Sequence, residues 1–334
     1  MSQASFIQVV ICTYNRARLL HRALAALARQ RGTQDVAWSV LVVDNNSTDD
    51  TAAVVEAQAK AGGVPGLRYE REVEQGLTPA RRRGVLATRA PWIAFIDDDC
   101  LVAEDWIAQA ATFLRTHPES GGMGGRVHVA WTASPPDYVA HFGWAFAAQD
   151  HGSTAKRVGS LAGAGMVLRR RALHACGWLE DPLLEDRIGK RLVSGGDVEL
   201  TLRVHGSGYP LWYNPACVLE HVVGLERASR MYMLRLIHGL GVSQTLAEAL
   251  LWSGSYTEWR QTAHQASGRL AWKTMCALGR SVLRRRSLTV SLFDASFAFG
   301  QFRGFRKITR MRASERKRLL GGATLPETPP VQSS

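Results

Sequence analysis

The stretch WIAFIDDDCL, residues 92–101, carries an apolar run directly into three consecutive carboxylates, those of residues 97–99. Its apolar half has the length and composition of a buried β-strand. Hard divalent cations such as Mg²⁺ or Mn²⁺ take oxygen ligands and commonly bridge one or two carboxylates to substrate phosphates. The stretch therefore predicts a cation site that handles a diphosphate. The alternative is an acidic turn before a helix, with Glu104 and Asp105 near the positive end of the helix dipole.

Strand patterns alternate with helical patterns upstream of this stretch. Strands are predicted at 6–13, 38–44, 67–69 and 92–96, and helices at 19–27, 52–61 and 79–88. Such alternation predicts an α/β fold with a mostly parallel central sheet flanked by helices. Ligands bind at the carboxyl ends of the strands in that architecture, where Thr13, Asp44 and Asp97 stand.

Several motifs along the chain together carry a family resemblance. They are CTYNR at 12–16, VVDNNSTD at 42–49, GLTPAR at 76–81, FIDDD at 95–99, GAG at 163–165, GGDVEL at 195–200 and His221. In order and spacing they resemble the family 2 glycosyltransferases, over about two thirds of the chain. The resemblance implies the GT-A fold and an inverting enzyme that moves a sugar from a nucleotide diphosphate onto an acceptor.

The resemblance assigns the donor nucleotide to residues at the strand ends. Asp44 matches a carboxylate that accepts hydrogen bonds from the base or ribose; an Asx turn with Ser47 and Asp49 is the alternative. Thr13 would help to hold the base. Arg81 falls near the diphosphate, whose oxygens a guanidinium can meet with two parallel hydrogen bonds.

The same resemblance implies separate roles for the three aspartates. Asp99 matches the direct metal ligand, and Asp97 the carboxylate that leans toward the ribose or a metal-bound water. We place Asp98 beside them in the donor-binding segment, although on an extended chain it points the other way and a structural role is the alternative. His221 follows a predicted strand at 210–213 and matches a further ligand to Mg²⁺ or Mn²⁺.

Inverting transfer needs a carboxylate on the acceptor side to accept the proton of the attacking hydroxyl, and the resemblance gives that role to Asp197. An N-cap on a helix at 198–205 is the other interpretation of Asp197, and both can hold together. Many family members carry Glu just before the base, where this chain has Gly196. Glu199 therefore stays as the alternative catalytic carboxylate.

The middle of the chain is predicted to form the acceptor side. Gly163 and Gly165 would let backbone lie close to a bound sugar, although a tight turn also explains them. We assign Trp178 to the same side. A loop containing Arg187 and Gly189 is expected to close over the bound donor and exclude water.

Charge divides the chain into regions. Residues 1–224 hold 23 basic and 23 acidic side chains, whereas 225–334 hold 18 and 6, the whole of the net charge of +12. We predict a catalytic domain at 1–224, with a nucleotide-binding half at 1–100 and an acceptor half at 101–224. A basic amphipathic helical region at 225–320 and a disordered tail at 321–334 would follow.

The basic helices predict where in the cell the protein acts. Amphipathic helices with basic flanks can lie on an anionic membrane surface, and a helical cap with a solvated basic face is the alternative. No stretch approaches the ~20 apolar residues of a spanning helix, and the first strand leaves no room for a signal peptide. Five scattered cysteines suit a reducing compartment. We expect a cytoplasmic protein, peripheral on the inner face of the cell membrane.

Three functions remain open from the sequence. The first is a glycosyltransferase of polysaccharide or glycolipid assembly, using a nucleotide-diphosphosugar donor and a saccharide or lipid-linked acceptor. The second is a sugar nucleotidyltransferase, although residues 13–17 lack the glycine-rich phosphate loop that such enzymes usually need. The third is a catalytically degenerate basic protein that binds membrane or nucleic acid. We expect no specific nucleic-acid partner, only weak nonspecific binding.

Overall fold

A computed structural model describes residues 6–184, 186, 195–282 and 287–323 of the chain. The predicted closing loop with Arg187 and Gly189, and the arginines at 284–286, lie outside the described residues. Strands and helices alternate through the first hundred residues, as the sequence pattern predicts.

The described part of the chain contains nine strands and ten α-helices. The strands are β1 Ile7–Thr13, β2 Trp38–Asp44, β3 Arg68–Arg71, β4 Trp92–Phe95, β5 Cys100–Val102, β6 Gly122–Trp131, β7 Lys156–Val158, β8 Met166–Arg169 and β9 Leu211–Val223. The helices are α1 Ala17–Ala28, α2 Thr51–Ala61, α3 Leu77–Leu86, α4 Trp106–Thr116, α5 Arg170–Ala175, α6 Gly196–Gly206, α7 Arg230–Leu250, α8 Tyr256–Val282, α9 Leu288–Arg310 and α10 Ala313–Leu319. Two 3-10 segments lie at Asp137–Phe146 and Leu225–Ala228.

These strands form one sheet in the order β3-β2-β1-β4-β8-β6-β9-β5, with β7 also paired to β9. The half with β3, β2, β1 and β4 is parallel, as the strand-helix alternation predicts. The other half is mixed, because β8 runs antiparallel to both β4 and β6, and β5 and β7 run antiparallel to β9.

Pairing of β5 with β9 brings distant parts of the sequence to one place. The three aspartates fill the short link between β4 and β5, so they stand between two strands rather than directly before a helix. In the antiparallel pair, Cys100 lies opposite His221. The sheet register therefore sets His221 beside the carboxylates, although about 120 residues separate them in the chain.

The core lies on both faces of the sheet. Ile7, Val9 and Ile11 of β1 pack into one apolar layer, and Val10 between them packs into the other. A strand buried on both faces reads as a continuous apolar run, which is why β1 and β2 are visible in the sequence. Each such side chain contributes about 1.5–3 kcal/mol when fully buried.

The helical region packs onto the sheet domain and onto itself. Phe293 of α9 and Ile237 of α7 are buried in one cluster with Phe142 and Phe146 of the first 3-10 segment. Helices α7 and α9 cross so closely that a Cβ on Gly300 would lie 2.1 Å from the carbonyl oxygen of His238. Among the described helices, none carries an apolar run long enough to cross a lipid bilayer.

Two predicted boundaries need correction. Strand β9 extends from Leu211 to Val223, so His221 lies inside the strand and does not follow it. Residues 321–323 are not a disordered tail, because the amides of Gly321 and Ala323 donate hydrogen bonds to the carbonyls of Ala249 and Leu250 (3.2 and 2.9 Å). These bonds go to carbonyls in the last turn of α7, and the carbonyl of Ala249 also accepts one from the amide of Trp252.

Candidate active site

A cavity of about 740 Å³ opens where the carboxyl ends of β1 and β4 meet β9 and the helical region. Most of the charged side chains that face it come from a strand end, a link or a helix start. The polar side chains of the cavity include Thr13, Arg16, Asn45, Arg81, Asp97, Asp98, Asp99, Asp186, Asp197, His221 and Arg227. Six of the sequence-predicted site residues with charged side chains therefore share one space.

Asp98 is tied to the end of β1. Its Oδ2 accepts a hydrogen bond from the Thr13 hydroxyl (2.7 Å), and its Oδ1 accepts one from Nη1 of Arg16 (3.0 Å). Burial raises the pKa of the Asp98 carboxyl to about 6, against the lowering effect of Arg16. Asp98 thus holds Thr13 and Arg16 at the cavity wall.

Asp99 is surrounded by cationic partners. Its Oδ2 lies 2.9 Å from Nη1 of Arg16 and 3.4 Å from Nη2 of Arg227, and its Oδ1 lies 3.4 Å from Nε2 of His221. Burial raises the pKa of Asp99, but its partners, His221 foremost, more than offset that effect and hold the pKa below its ordinary value. The carboxylate therefore stays ionised in a nearly dry position.

His221 is oriented by a backbone carbonyl. Its Nδ1 lies 2.8 Å from the carbonyl oxygen of Phe146, which accepts the hydrogen bond and leaves Nε2 directed toward Asp99. Such a partner on the second nitrogen is the arrangement that fixes a metal-binding imidazole. Burial lowers the pKa of His221, but the hydrogen bond and charge of Asp99 raise it overall.

Side chains at this edge fit a hard divalent cation. Ligand atoms of Asp97, Asp99 and Cys100 lie within 4.8 Å of one another, a grouping found among the described residues. Burial raises the pKa of the Cys100 thiol well above its usual range. Sulfur is also a soft ligand that does not suit a hard cation, so Cys100 is a poor candidate. The carboxylates of Asp97 and Asp99 remain from this grouping, and the imidazole of His221 lies beside Asp99; together they are a donor set suited to Mg²⁺ or Mn²⁺.

Arg81 lies between the carboxylates of the cavity. Its side chain is almost fully buried, with Nη1 3.0 Å from Asp186 and Nη2 4.0 Å from Asp97. Burial lowers the pKa of Arg81, but the carboxylates of Asp186, Asp97 and Asp197 raise it overall. A fixed guanidinium at this place gives the cavity a permanent positive charge beside Asp97.

Asp197 reaches the cavity from the first turn of α6. Its Oδ2 accepts a hydrogen bond from the amide of Gly163 (3.1 Å), and its Oδ1 accepts one from the amide of Val198 (2.9 Å). The N-cap of α6 is Gly195, so the predicted N-cap role of Asp197 is corrected. The carboxylate still lies at the positive end of the helix dipole.

Gly163 brings Asp197 and Arg81 together. A Cβ at this position would lie 2.8 Å from Oδ2 of Asp197 and 3.1 Å from Nη2 of Arg81. Glycine is required here because a side chain would push the carboxylate and the guanidinium away. The approach of a bound sugar to the backbone at Gly163 stays a prediction, and in this structure the backbone lies close to two charged side chains.

Glu199 has a different environment from Asp197. It is fully buried, and its oxygens accept hydrogen bonds from the amides of Leu183 and Leu184 (2.8 and 2.7 Å) and from Arg203 (3.0 Å). It does not line the cavity. Two residues along a helix turn a side chain by about 200°, which carries Glu199 away from the space that Asp197 faces.

Three other predicted site residues lie behind the cavity wall. Both carboxylate oxygens of Asp44 accept internal hydrogen bonds, from the Ser47 amide (2.8 Å) and the Tyr69 hydroxyl (2.6 Å). The Ser47 contact of the alternative turn is therefore present, whereas Asp49 accepts its hydrogen bonds from Ala17 and Thr51. Gly165 has φ 74°, and a Cβ there would lie 2.3 Å from Leu219 in the core. Trp178 is fully buried in the apolar layer and is corrected to a core residue.

Several cavity residues were missed from the sequence. Arg16 belongs to the quoted CTYNR motif but was given no role, and Arg227 follows β9. Asp186 pairs with Arg81 across 105 residues. Of these three residues, only Arg16 could have been found from the sequence, because it belongs to that motif. The contacts of Arg227 and Asp186 depend on tertiary pairing.

The order of the sheet and a carboxylate-rich cavity at its strand ends agree with the GT-A fold. Residues 8–177 match the family model described as Glycosyl transferase family 2, and the chain belongs to that family. The crystal structure of GalNAc-T7 with UDP, GalNAc and Mn²⁺ superposes with a TM-score of 0.53 at 15% identity, over 79% of this chain and 55% of that one. At that identity the likeness establishes the fold.

Curated relatives are glycosyltransferases of several kinds. Glycosyltransferase AglE of Haloferax volcanii is 27% identical over 220 residues, 64% of this chain and 65% of that protein. Validoxylamine A glucosyltransferase of Streptomyces hygroscopicus subsp. jinggangensis is 33% identical over 106 residues, 32% and 25% of the two chains. Beta-monoglucosyldiacylglycerol synthase of Nostoc is 26% identical over 176 residues, 50% and 34% of the two. The chain thus spans less than two thirds of each relative's length.

Proposed function

We propose that the protein is an inverting glycosyltransferase that moves a sugar from a nucleotide-diphosphosugar donor to a saccharide or lipid-linked acceptor in polysaccharide or glycolipid assembly. One observation supports this most. Arg81 and Gly163 bring Asp197 next to the carboxylates of the β4–β5 link within a single cavity. A base and a diphosphate site must lie on either side of one anomeric carbon, and this arrangement suits that requirement.

Asp197 acts as the base in this proposal. Its carboxylate takes the proton of the acceptor hydroxyl as the oxygen bonds to the anomeric carbon and the bond from that carbon to the diphosphate oxygen breaks. The electron pair of the broken bond leaves with the nucleoside diphosphate. Hydrogen bonds from Gly163 and Val198 hold the carboxylate in place. A positioned base of this kind contributes about 10²–10⁴-fold to the rate.

The opposite side of the cavity receives the leaving group. Asp99, His221 and Asp97 would hold Mg²⁺ or Mn²⁺, which supplies charge neutralisation to the departing diphosphate. Arg81 donates hydrogen bonds to the diphosphate oxygens as their charge grows. Thr13 and Asp98 position the nucleotide at the end of β1. Asp44 supports it indirectly, because its carboxylate is held by Ser47 and Tyr69 and it directly precedes the cavity residue Asn45.

The helical region associates with a membrane surface in this proposal. On α9, four large apolar side chains are exposed at helical spacing, namely Leu288, Leu292, Phe299 and Phe302 (58, 45, 59 and 39% exposed). We call them the outer stripe. Arg303, Arg306 and Arg310 lie at its C-terminal end, and the Arg306 guanidinium lies 6.0 Å from the ring centre of Phe302. An apolar stripe with a basic end complements an anionic lipid surface.

A thermal-shift screen tests the proposed donor chemistry. Nucleoside diphosphates, nucleotide sugars and nucleoside triphosphates are each added with Mn²⁺, with Mg²⁺ or with a chelator. We expect one diphosphate and its sugars to raise the melting temperature in a metal-dependent way, because a bound ligand stabilises in proportion to its occupancy. Stabilisation by a triphosphate alone, with pyrophosphate release from a sugar phosphate, would assign the chain to nucleotidyl transfer instead.

A further inference from the structure

One wall of the cavity is largely apolar, and all but one of its apolar residues come from outside the segment that matches the family model. Helix α7 presents Tyr232, Leu236, Leu240 and Ala247 to the cavity, at spacings that place them on one helix face. Phe297 of α9 and Trp144 of the first 3-10 segment complete the surface, with their ring centres 5.6 Å apart. We call these six residues the apolar wall. The polar side chains of Ser243 and Gln244 line the cavity near the far end of the row on α7.

The apolar wall lies between the proposed metal side of the cavity, at Asp99, and the proposed base, Asp197. Arg227, just before α7, lies 3.4 Å from Asp99 at the metal side. Farther along α7, Ser243 lies against Gly195, where a Cβ would be 3.5 Å from the Cβ of Ser243, and Gly195 is two residues before Asp197. A group that reaches Asp197 along α7 must therefore pass over Leu236 and Leu240.

Such a surface selects against a purely polar occupant. A sugar hydroxyl placed against aliphatic side chains loses its water without gaining a partner, which costs about 1–3 kcal/mol for each unsatisfied group. An alkyl chain on the same surface gains about 0.8 kcal/mol for each methylene that leaves water. The chemistry of the wall therefore favours an acceptor with an apolar part next to its reacting hydroxyl.

We propose that the acceptor is a glycolipid-like molecule whose acyl, alkyl or prenyl chain lies on the apolar wall while its hydroxyl faces Asp197. This inference rests on the proposed function and chooses the lipid-linked acceptor over the free saccharide. Helix α9 presents Phe297 to the cavity and the outer stripe to solvent. One helix diameter, about 10 Å, thus separates the cavity from the proposed membrane surface.

Matched pairs of short glycosides test the proposal. Octyl and methyl glycosides of glucose, galactose and N-acetylglucosamine are titrated into the full-length protein by calorimetry, below the micelle concentration. Each pair shares a sugar, so the difference in affinity reports the chain alone. We expect the octyl form to bind about 10- to 100-fold more tightly, because roughly half of its added methylenes leave water on the wall.

Two variants locate the binding. Leu240→Gln and Phe297→Gln place an amide on half-buried positions of the wall, and each should reduce the octyl-to-methyl ratio of affinities to within about threefold of one. The same ratio is measured in kcat/KM once a donor is known, so a general loss of activity cancels. Met231→Gln, at a 59% exposed position of α7, is the control and should keep the wild-type ratio.

The outcomes separate the two proposals. Equal binding of octyl and methyl forms, or an octyl preference that survives both wall variants, overturns the apolar acceptor. If a donor is turned over and the octyl and methyl glycosides have equal kcat/KM as acceptors, the apolar acceptor is also overturned. The glycosyltransferase proposal then stays intact. If no donor is turned over, the proposed function fails, and the calorimetric ratio still decides whether the wall binds an alkyl chain.

Discussion

The sheet part of the molecule, residues 6–224, and the helical part, residues 225–323, are packed by different means. In the sheet part, β-branched strands bury side chains on both faces. In the helical part, α7 and α9 approach through glycines, since Cβ atoms on Gly241, Gly300 or Gly304 would lie within 3 Å of the facing helix. A hydrophobic sequence pattern therefore predicts the burial of the strands, but it does not predict the close approach of two helices at glycines.

Charge separates the same two parts. The carboxylates of the cavity, Asp97, Asp98, Asp99, Asp186 and Asp197, all belong to the sheet part. Residues 225–334 carry the whole net charge of +12, and the helical part gives the cavity an apolar wall. In the proposed function, the sheet part performs the chemistry and the helical part presents the acceptor. The following predictions test that division, from the largest expected effect to the smallest.

Asp197→Asn should lower turnover by about 10²–10⁴-fold, because the amide cannot accept the acceptor proton. Stabilisation by the nucleoside diphosphate should persist, since Asp197 contacts Gly163 and Val198 on the acceptor side. Glu199→Gln is the matched comparison: it should lower the melting temperature and leave turnover of the folded protein within about tenfold. Equal loss of turnover in both folded variants would move the base away from Asp197.

Asp99→Ala should weaken the affinity for the metal, measured in the presence of nucleotide, by about 100-fold or more. Loss of a metal ligand should lower this affinity at least as much as loss of a residue that hydrogen-bonds to a ligand. The substitution should also lower the melting temperature, since the buried guanidinium of Arg227 loses a counter-ion. The measurement is a metal titration of the nucleotide-dependent thermal shift. Asp105→Ala, at the start of α4, is the control, and an unchanged midpoint in Asp99→Ala would remove Asp99 from the ligand set.

Gly300→Ala and Gly268→Ala should change stability in opposite directions. At Gly300 the added methyl meets the carbonyl of His238, and forcing α7 and α9 apart should cost about 1–3 kcal/mol. At Gly268 of α8 a Cβ meets nothing within 4 Å, so alanine should stabilise the helix by about 0.5–1 kcal/mol. Denaturant unfolding measures both. A neutral Gly300→Ala would mean that the crossing of α7 and α9 is looser than described.

The double variant Phe299→Ser and Phe302→Ser should reduce binding to vesicles that contain anionic lipid by about tenfold or more, through lost apolar burial. Flotation with phosphatidylcholine vesicles gives the background. Leu86→Ser removes an equally exposed side chain (64%) from the sheet part and should float like the wild type. Unchanged flotation of the double variant would exclude the outer stripe as the membrane contact.

Much of the donor side of the molecule can be predicted from the sequence. Strand β2 and helix α2 match their predicted spans to within one residue, because β-branched runs and turn residues mark them clearly. The family resemblance brought Arg81, Asp97, Asp99, Asp197 and His221 to one site, and all of them line the cavity. The GT-A fold is confirmed by the family match and the structural likeness.

What could not be predicted depends on tertiary pairing. Asn214 and Pro215 indicate a turn, yet β9 continues past them, because its register against β6 shifts between Gly124 and Arg126. The contacts of Arg16 and Arg227 with Asp99 exist only once three separate segments meet. Trp178 was assigned to the acceptor side, but its indole fills the space between helices and sheet in the core.

The family match ends at Gly177, whereas the helix that carries Asp197, the strand that carries His221 and five of the six residues of the apolar wall come later in the chain. Each side of the cavity draws on both parts of the chain, since His221 joins Asp99 on the metal side and Gly163 holds Asp197 on the acceptor side. A hybrid joined at this glycine would therefore combine halves of two different sites, and we expect it to work only where both parents share these contacts.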